Sequence, residues 1–180
     1  MRNNIFFASD HHFGHENCYS KFTREDGSFL RHDLATSAAE GDELMIQRHN
    51  AVVKPNDRVY FLGDVAISKH YIHLVGRMNG KKVLVKGNHD IFDLALYTPY
   101  FEDIRSVVSN RTGFIGSHIP LHPESLSRWG FNIHGHLHAN RVQKYFAVGE
   151  TVIDPRYFCV SVEQINYTPI SLDEVLKFKP

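Results

Sequence analysis

The sequence contains few cysteines, no excess of charge of either sign and no long apolar run. Its two cysteines, Cys18 and Cys159, form no Cys-x-x-Cys pattern, so we predict neither a disulfide framework nor a thiolate zinc site. Because 20 basic residues balance 20 acidic ones, no broad basic surface for long nucleic acid is expected. No apolar run approaches the roughly 20 residues that cross a bilayer, and the run after Asn4 is too short for a signal peptide. We therefore expect a cytoplasmic protein without a membrane partner.

Histidine, in contrast, is unusually abundant. The chain of 180 residues has 13 histidines, as many as leucines, although leucine is normally among the commonest residues. Of its residues, 42% are hydrophobic and 22% charged, which is typical of a globular protein. No repeat and no linker rich in proline, glycine or serine divides the chain, so we predict a single domain over residues 1–180.

Short apolar runs alternate with longer amphipathic stretches along the chain. The apolar runs predict strands at 5–9, 58–62, 82–85, 104–109, 113–117, 131–134 and 157–162, with a turn at 110–112. Amphipathic spacing predicts helices over 42–53 and 69–78, and Ser171 with Glu174 fits a capping box for a short last helix. Strand–helix alternation followed by clustered strands indicates a layered α/β protein.

Residues that bind metals follow five of the predicted strands directly. They are Asp10, His11 and His12; Asp64; Asn88, His89 and Asp90; His118; and His136 and His138. In open α/β sheets, ligands bind outside the carboxyl ends of the strands. Each segment alone has an ordinary explanation, such as an Asx turn at Asp10 or a helix cap at Asn88. Their joint occurrence in order favours a shared metal site.

The types of candidate ligand narrow the choice of metal. Imidazole, carboxylate and amide oxygen, without thiolate, suit Mn, Fe, Zn or Ni better than a soft metal or Ca²⁺. The candidates are too many for one tetrahedral site, and two ions about 3.5–4 Å apart can hold a shared hydroxide and clamp a phosphoryl oxygen. We therefore predict two divalent metal ions, with Mn²⁺ as the first choice and Fe, Zn, Ni and Mg as alternatives.

The five segments resemble the ordered motifs of the calcineurin-like metallophosphoesterases. The matching segments are Asp10-His11-His12, Gly63-Asp64, Gly87-Asn88-His89-Asp90, Ser117-His118 and Gly135-His136-Leu137-His138. The resemblance runs from Ile5 to about Glu163. It implies a four-layer α/β/β/α sandwich of the metallo-dependent phosphatase type, with a binuclear metal centre that hydrolyses phosphate esters.

The resemblance also implies a role for each motif residue. The metal ligands form two sets that share one carboxylate: Asp10, His12 and His138 for one ion, Asn88, His118 and His136 for the other, and Asp64 bridging both. His89 would stabilise the developing charge and protonate the departing oxygen, while Asp90 would orient His89 through a hydrogen bond. A metal-bridging hydroxide would attack phosphorus in line with the leaving group.

Three further positions are candidates for substrate contact. Residues 10–17 look like the opening of a small bacterial and phage subgroup of these enzymes, in which His15 and Asn17 could reach the substrate phosphate. The alternative, that His15 shapes a loop and Asn17 caps a helix, stays open, and His122 is equally ambiguous. The fourth motif usually has glycine before its histidine and here has Ser117, whose small side chain should leave His118 in place.

The remaining histidines and the arginines receive structural interpretations. Arg24, Arg31 and Arg141 could bind a second phosphate, but we interpret them as solvated side chains. His11 and His134 should point away from the metals into packing, because side chains alternate along a strand. The other histidines are expected at the surface: His32, His49, His70 and His73.

The predicted function is hydrolysis of a small phosphoester, either a monoester or a diester, by a metal-dependent enzyme. One alternative is a non-catalytic metal-binding interaction scaffold of the same fold, which the presence of His89 and all seven candidate ligands disfavours. Another is a nuclease acting on nucleic-acid ends, which the lack of an evident cap domain and of net positive charge disfavours. The sequence leaves the physiological substrate and the oligomeric state open.

Overall fold

The computed structural model describes residues 4–111, 113–145 and 149–180; Thr112 of the predicted turn and the first three residues lie outside this part. Its strands are β1 Ile5–Ala8, β2 Arg58–Phe61, β3 Lys81–Val85, β4 Asp103–Arg105, β5 Val108–Asn110, β6 Phe114–Ser117, β7 Asn132–His134, β8 Gln143–Tyr145, β9 Thr151–Ile153, β10 Tyr157–Cys159 and β11 Ile170–Ser171. Its α-helices are α1 Asn17–Ser20, α2 Ala38–Val52 and α3 Leu172–Val175. Its 3₁₀ helices span Lys69–Arg77, Leu94–Leu96, Pro123–Leu126, Val162–Gln164 and Leu176–Phe178.

Two larger sheets carry most of the strands. The first has the order β11-β1-β2-β3-β4, with β1 to β4 parallel and β11 antiparallel to β1. The second has the order β10-β7-β6-β5, in which β10, β7 and β6 are parallel and β5 is antiparallel to β6. Strands β8 and β9 form a separate hairpin. The carboxyl ends of β1, β2 and β3 are therefore adjacent in one sheet, and those of β6 and β7 are adjacent in the other.

The side chains of the first sheet alternate between two apolar clusters. On one face, Phe6 and Phe61 pack with Met45 of α2 and with Ile72 of the 3₁₀ helix Lys69–Arg77. On the other face, apolar residues of both sheets form one cluster, which places the second sheet against the first. These residues include Phe7, Val83, Val85, Phe114 and Ile133.

The far face of the second sheet has a thinner cover. Ile115 and Tyr157 pack there with Leu126 of a one-turn 3₁₀ helix and with the partly buried Trp129. The structure is thus a strand-rich α/β arrangement with two facing sheets, with α2 and the 3₁₀ helix Lys69–Arg77 on one outer side and the one-turn 3₁₀ helix on the other. A helical layer on the other outer side, which the four-layer prediction requires, is not confirmed among the described residues.

Most predicted elements are present, with differences in detail. The helix predicted over 42–53 is α2, which begins four residues earlier, at Ala38, after the N-cap Ser37. The helix predicted over 69–78 is a 3₁₀ helix, in a stretch rich in aromatic, β-branched and glycine residues that favour the α-helix weakly. The strand predicted over 104–109 is divided between β4 and β5, which belong to different sheets. The strand predicted over 157–162 ends at Cys159, and the capping box of Ser171 and Glu174 is confirmed at α3.

None of the described helices is long and apolar enough to cross a membrane. Both cysteines, Cys18 and Cys159, are buried and free. Packing of the two facing sheets holds the strand ends in a fixed relation. The predicted metal ligands follow those strand ends.

Candidate metal centre

Residues at the carboxyl ends of both sheets meet to form two groups of potential metal ligands. The first ligand group consists of Asp10, His12 and His138, and the second ligand group consists of Asp64, His118 and His136; in each group the ligand atoms lie within 4.8 Å of one another. The first group combines two residues that follow β1 of the first sheet with one that follows β7 of the second, and the second group combines one residue that follows β2 with two that follow β6 and β7. All six of these residues were predicted as ligands from the sequence, and the structure brings them together.

The first ligand group contains buried polar atoms that lack partners. Asp10 Oδ1 and both ring nitrogens of His12 have no hydrogen-bond partner within the described part of the chain. His12 Nε2 lies 3.9 Å from that Asp10 oxygen. Leaving a buried polar atom unpaired costs free energy unless something compensates it. A bound cation would compensate Asp10 Oδ1 and His12 Nε2, so these residues fit a metal ion.

The other oxygen of Asp10 is fully occupied by hydrogen bonds. Asp10 Oδ2 accepts from the hydroxyls of Ser9 at 2.6 Å and Ser161 at 2.7 Å, and from the backbone N–H of His136 at 2.9 Å. Three donors on one oxygen fix the orientation of the carboxylate. Its free oxygen is consequently directed at His12.

A buried ion pair supports the first ligand group from behind. Arg31 is fully buried, and its Nε donates to Glu163 Oε1 at 2.8 Å. Its two terminal nitrogens donate to the backbone oxygens of Asp10 at 2.6 Å and His11 at 2.7 Å. Glu163 Oε2 in turn lies 3.2 Å from His138 Nδ1. A carboxylate on one imidazole nitrogen leaves the other nitrogen, Nε2, available to a metal.

The second ligand group is supported mainly by the backbone. His118 Nδ1 lies 2.8 Å from the Leu62 carbonyl oxygen, which fixes the tautomer that leaves His118 Nε2 available as a ligand. That nitrogen lies 2.8 Å from the side-chain oxygen of Asn88, the remaining predicted ligand. Burial opposes protonation of His118, but the hydrogen bond and charge of Asp64 outweigh burial and raise the pKa of His118 to about 8. The second ligand group thus places His118 Nε2 in contact with both Asp64 and Asn88.

Asp64, a member of the second ligand group, also faces the first. Its Oδ2 is 3.5 Å from His12 Nε2 of the first group and 3.3 Å from His118 Nε2 of the second. Its Oδ1 accepts the backbone N–H of His89 at 2.8 Å. One carboxylate oxygen therefore faces ligands of both groups, the arrangement that a shared ligand of two cations requires.

Many of the ligands have an unusual backbone conformation. Seven described residues other than glycine have positive φ, and five of these are members of the ligand groups: Asp10, His12, Asp64, His136 and His138. Left-handed backbone is uncommon for residues with a side chain, and it concentrates at functional sites. The strand ends therefore turn sharply at the ligands and aim them into one space.

Two motif glycines allow the ligand loops to approach closely. A Cβ atom at Gly87 would overlap the Asp64 carboxylate, and one at Gly135 would overlap Ser9 Oγ and the Asp10 carboxylate. Glycine at these places is thus required by packing against ligands, independently of its conformational freedom.

The structure assigns Asp90 a different contact from the predicted one. Asp90 is buried, and its carboxylate accepts backbone N–H groups of Asp64 at 2.8 Å, Gly87 at 2.9 Å and Val65 at 3.1 Å. The predicted hydrogen bond to the His89 ring is not found within the described residues. Burial raises the pKa of Asp90 despite these donors. Asp90 therefore holds together the two loops that carry Asp64 and His89.

The candidates for catalysis and substrate contact lie at different places. A cleft of about 550 Å³ is lined by His12, His15 and His89, together with His136 and His138. The exposed His89 ring is 5.2 Å from the His12 ring, centroid to centroid. Neither Asn17 nor His122 belongs to the lining of this cleft.

Asn17 and His122 occupy structural positions. Asn17 is the first residue of α1, whose N-cap is Glu16, so the alternative interpretation of Asn17 as the cap is not met either. His122 is exposed and caps the 3₁₀ helix Pro123–Leu126, where its Nδ1 accepts from the Glu124 N–H at 3.4 Å. Ser117 leaves His118 in its ligand group, as predicted. The Ser117 hydroxyl donates to the Ile119 oxygen at 2.8 Å.

Six histidines were predicted to have neither a ligand role nor a substrate contact. His11 packs between Phe13 and Phe61, and His134 is buried, as predicted. His49 is fully buried rather than at the surface, with Nε2 2.9 Å from the Asn79 oxygen. The other three histidines that we predicted at the surface are exposed: His32, His70 and His73.

The Arg31–Glu163 pair was not predicted from the sequence. Arg31 is neither solvated nor in contact with the cleft, which corrects both interpretations of this residue. Glu163 belongs to no recognised motif, and the two residues are 132 positions apart. A polar residue at the end of the last predicted strand, near the end of the resemblance, was the available signal for Glu163.

Comparisons with known proteins reveal relatives of similar length. No protein-family profile matches the chain. The uncharacterized protein MJ1445 of Methanocaldococcus jannaschii is 34% identical over 179 residues, which cover 96% of this chain and 89% of that protein. The Gene 66 protein of Mycobacterium phage L5 is 33% identical over 92 residues, or 48% of this chain and 40% of that protein.

One of two similar solved structures shares the fold of this chain. AQ665 of Aquifex aeolicus, a protein of unknown function, superposes with a TM-score of 0.70 and 25% identity over 98% of this chain and 99% of its own. The phosphopantetheinyl hydrolase PptH of Mycobacterium tuberculosis aligns over 92% of this chain and 91% of its own, at 14% identity and a TM-score of 0.39, which is too low to establish a common fold. The extent and identity of the archaeal match show that the chain belongs to the family of MJ1445.

Proposed function

We propose that the protein is a metal-dependent hydrolase of phosphate esters that uses two divalent cations. The observation that carries this proposal is the position of Asp64 Oδ2, 3.5 Å from His12 Nε2 and 3.3 Å from His118 Nε2. A shared carboxylate between two sets of imidazole and carboxylate ligands suits a pair of first-row transition metals. Bound there, such ions would polarise a phosphoryl oxygen and lower the pKa of a coordinated water.

The chain supplies the remaining chemistry through His89. This imidazole is exposed in the cleft and lies beside His12. A histidine so placed can donate a proton to the departing ester oxygen, which is the task of a general acid. Asp90 contributes indirectly, because its carboxylate fixes the loops that carry Asp64 and His89.

The finer features of the resemblance belong to the same proposal. They are Mn²⁺ as the preferred ion, the four-layer calcineurin-like architecture, a single domain over the whole chain and a cytoplasmic location. The substrate is proposed to be a small phosphomonoester or phosphodiester. The two facing sheets and the ligand sets of mixed origin support the architecture without specifying the metal.

The proposal is tested with purified protein, Mn²⁺ and two generic substrates, an aryl phosphomonoester and an aryl phosphodiester. We expect hydrolysis of at least one ester and its loss on addition of EDTA. Asp64→Asn should lower the rate more than about 100-fold and also weaken metal binding, because one ligand serves both groups. His89→Ala should lower the rate by about 100-fold or more while metal binding stays unchanged.

Asp103→Asn is a suitable control, since Asp103 lies in β4 and outside both ligand groups. Its rate and metal content should match those of the natural protein. Full occupancy of both ligand groups without hydrolysis of any ester in a broad panel would contradict the proposal and favour an interaction scaffold.

A further inference from the structure

The cleft beside the ligand groups is larger than a phosphate group requires. His12, His89, His136 and His138 line one end of its volume of about 550 Å³. That volume lies within the range of protein sites for organic ligands, roughly 300–1,000 Å³. If a phosphoryl group is held at the histidine end, most of the cleft remains for the rest of the ester.

The end of the cleft around Phe22 combines apolar and polar side chains and contains an exposed aromatic ring. Phe22, which is 42% exposed, lines the cleft together with Leu30, Thr23, Arg24 and Glu25, and the apolar Leu137 and Ala139 flank His138 in the same lining. The Phe22 ring meets the His15 ring edge to face, with centroids 5.4 Å apart and an interplanar angle of 87°. This contact fixes the ring orientation and leaves a face open to the cleft.

Backbone hydrogen bonds hold Phe22 in this position. Its N–H donates to the Asn17 oxygen at 2.8 Å, and its own oxygen accepts the Leu30 N–H at 2.8 Å. Just beyond, the Arg31 N–H donates to the Cys18 oxygen at 3.1 Å. Residues 17–31 therefore form a loop whose ends are hydrogen-bonded to each other. Because the backbone fixes the Phe22 ring, stacking a ligand on this ring needs little ordering.

The charged residues of the cleft do not favour a second anionic group. The Arg24 guanidinium is already engaged by Asp33 Oδ1 at 2.8 Å, the Leu30 oxygen at 2.9 Å and Tyr167 at 3.3 Å. Its charge is thus balanced by Asp33, and Glu25 adds a negative charge to the same lining. A second phosphate on the substrate would therefore find no free positive charge at this end of the cleft.

We propose that this end of the cleft is a subsite for a planar, uncharged ring in the ester group of the substrate, which stacks on Phe22. The inference rests on the proposed function, because it takes the histidine end as the place of the phosphoryl group. It identifies the substrate class as aromatic or heteroaromatic phosphoesters and makes Phe22 a specificity-determining residue. His15 acts as a positioning residue that holds the Phe22 ring.

The test measures binding of two phosphonates, which cannot be hydrolysed at the carbon–phosphorus bond, to the Mn²⁺-loaded protein by calorimetry. Phenylphosphonate should bind about tenfold more tightly than methylphosphonate, as expected for one stacked ring. Phe22→Ala should remove this preference without changing methylphosphonate binding. Phe22→Trp should retain it, and Phe22→Leu should give an intermediate value.

Phe29→Ala is the matched control, because Phe29 belongs to the same loop of residues 17–31 and is 44% exposed, yet does not line the cleft. It should keep the full preference, and its thermal unfolding should resemble that of Phe22→Ala. Equal binding of the two phosphonates, binding of neither, or an unchanged preference in Phe22→Ala overturns the subsite even if esters are hydrolysed. Conversely, an intact preference without hydrolysis of any ester overturns the proposed function and leaves the ring subsite standing.

Discussion

The first ligand group depends on a buried charge pair, whereas the second depends on main-chain groups close to it in the fold. Behind the first group, Arg31 bonds the backbone of Asp10 and pairs with Glu163, which contacts His138. Behind the second group, the Leu62 carbonyl orients His118. The two ligand groups contain similar ligands but are supported differently. The first relies on a buried ion pair between residues far apart in sequence, and the second on hydrogen bonds to backbone groups.

This difference has an energetic consequence. A buried ion pair is sensitive to the loss of either member, because the partner is then left charged and uncompensated. A backbone carbonyl cannot be removed by substitution of a side chain, so the tautomer of His118 is protected from most single changes. We therefore expect the first ligand group to be the more easily disrupted of the two.

The largest effect is expected from Arg31→Met. It leaves Glu163 buried without its cation and frees the Asp10 and His11 oxygens, so the free energy of unfolding should fall by about 3–5 kcal/mol. Urea unfolding in EDTA measures this loss. In a Mn²⁺ titration, the first ligand group should bind weakly while the second retains its ion.

The double variant Arg31→Met with Glu163→Gln serves as the control for charge. Removing both charges should recover a substantial part of the stability, although the first group remains poorly oriented. Loss of both ions in equal measure from the single variant would show that the two groups do not differ in support.

Asp90→Asn should have the next largest effect and should act on the second ligand group. The neutral amide has one acceptor oxygen for three backbone N–H groups, so we expect a loss of about 1.5–3 kcal/mol. Metal affinity of the second group should fall about 10–100-fold. Urea unfolding and Mn²⁺ titration measure the two quantities.

Asp57→Asn is the matched control for Asp90→Asn. Asp57 is also buried, and its carboxylate accepts the N–H groups of Asn4 at 2.9 Å and Lys54 at 2.8 Å, outside both ligand groups. It should lose comparable stability and keep normal metal binding. If it weakens Mn²⁺ binding as much as Asp90→Asn does, the effect is general and the assigned role of Asp90 is wrong.

The smallest effect concerns Asp42, which supports the loop after His12 by accepting the Gly14 N–H at 2.8 Å. Burial raises the pKa of Asp42 from 3.8 to about 7. The folded state binds a proton on the Asp42 carboxylate more tightly than the unfolded state does, so protonated Asp42 stabilises the fold. This stabilisation is fully present below about pH 4 and is lost as pH rises from there through 7. Asp42→Asn, which carries no such proton, should therefore gain stability relative to the natural protein as pH rises from 5 to 8.

Urea unfolding at the two pH values, in EDTA, measures this difference. Asp173→Asn, at an exposed position in α3, should show no such change. A constant difference between Asp42→Asn and the natural protein at both pH values would show that Asp42 is ionised in the fold throughout.

Periodicity and motif order predicted the strand ends and the residues that follow them. This works because a ligand placed directly after a parallel strand needs no long-range information to reach the common edge. Asp10, Asp64 and His118 are all of this kind, and the structure brings each of them into a ligand group.

Contacts between distant segments could not be predicted in the same way. Arg31 lies in a loop without periodicity, and its burial depends on Glu163, 132 positions away. Nor did the pattern reveal that Asp90 accepts backbone N–H groups, because a carboxylate beside a histidine has the same sequence whichever neighbour it contacts. His49 was misplaced for a related reason: it lies on the buried face of α2, and its contact with Asn79 depends on tertiary packing.

The left-handed ligands restrict how this centre can be redesigned. Aspartate, asparagine and histidine tolerate positive φ better than other residues with a side chain, while β-branched residues tolerate it poorly. Exchanging His12 or His136 for aspartate or asparagine should therefore be conformationally inexpensive, since both positions have positive φ. His118 does not share that conformation, so it is the histidine in the second group where a wider range of side chains can be introduced to alter metal selectivity.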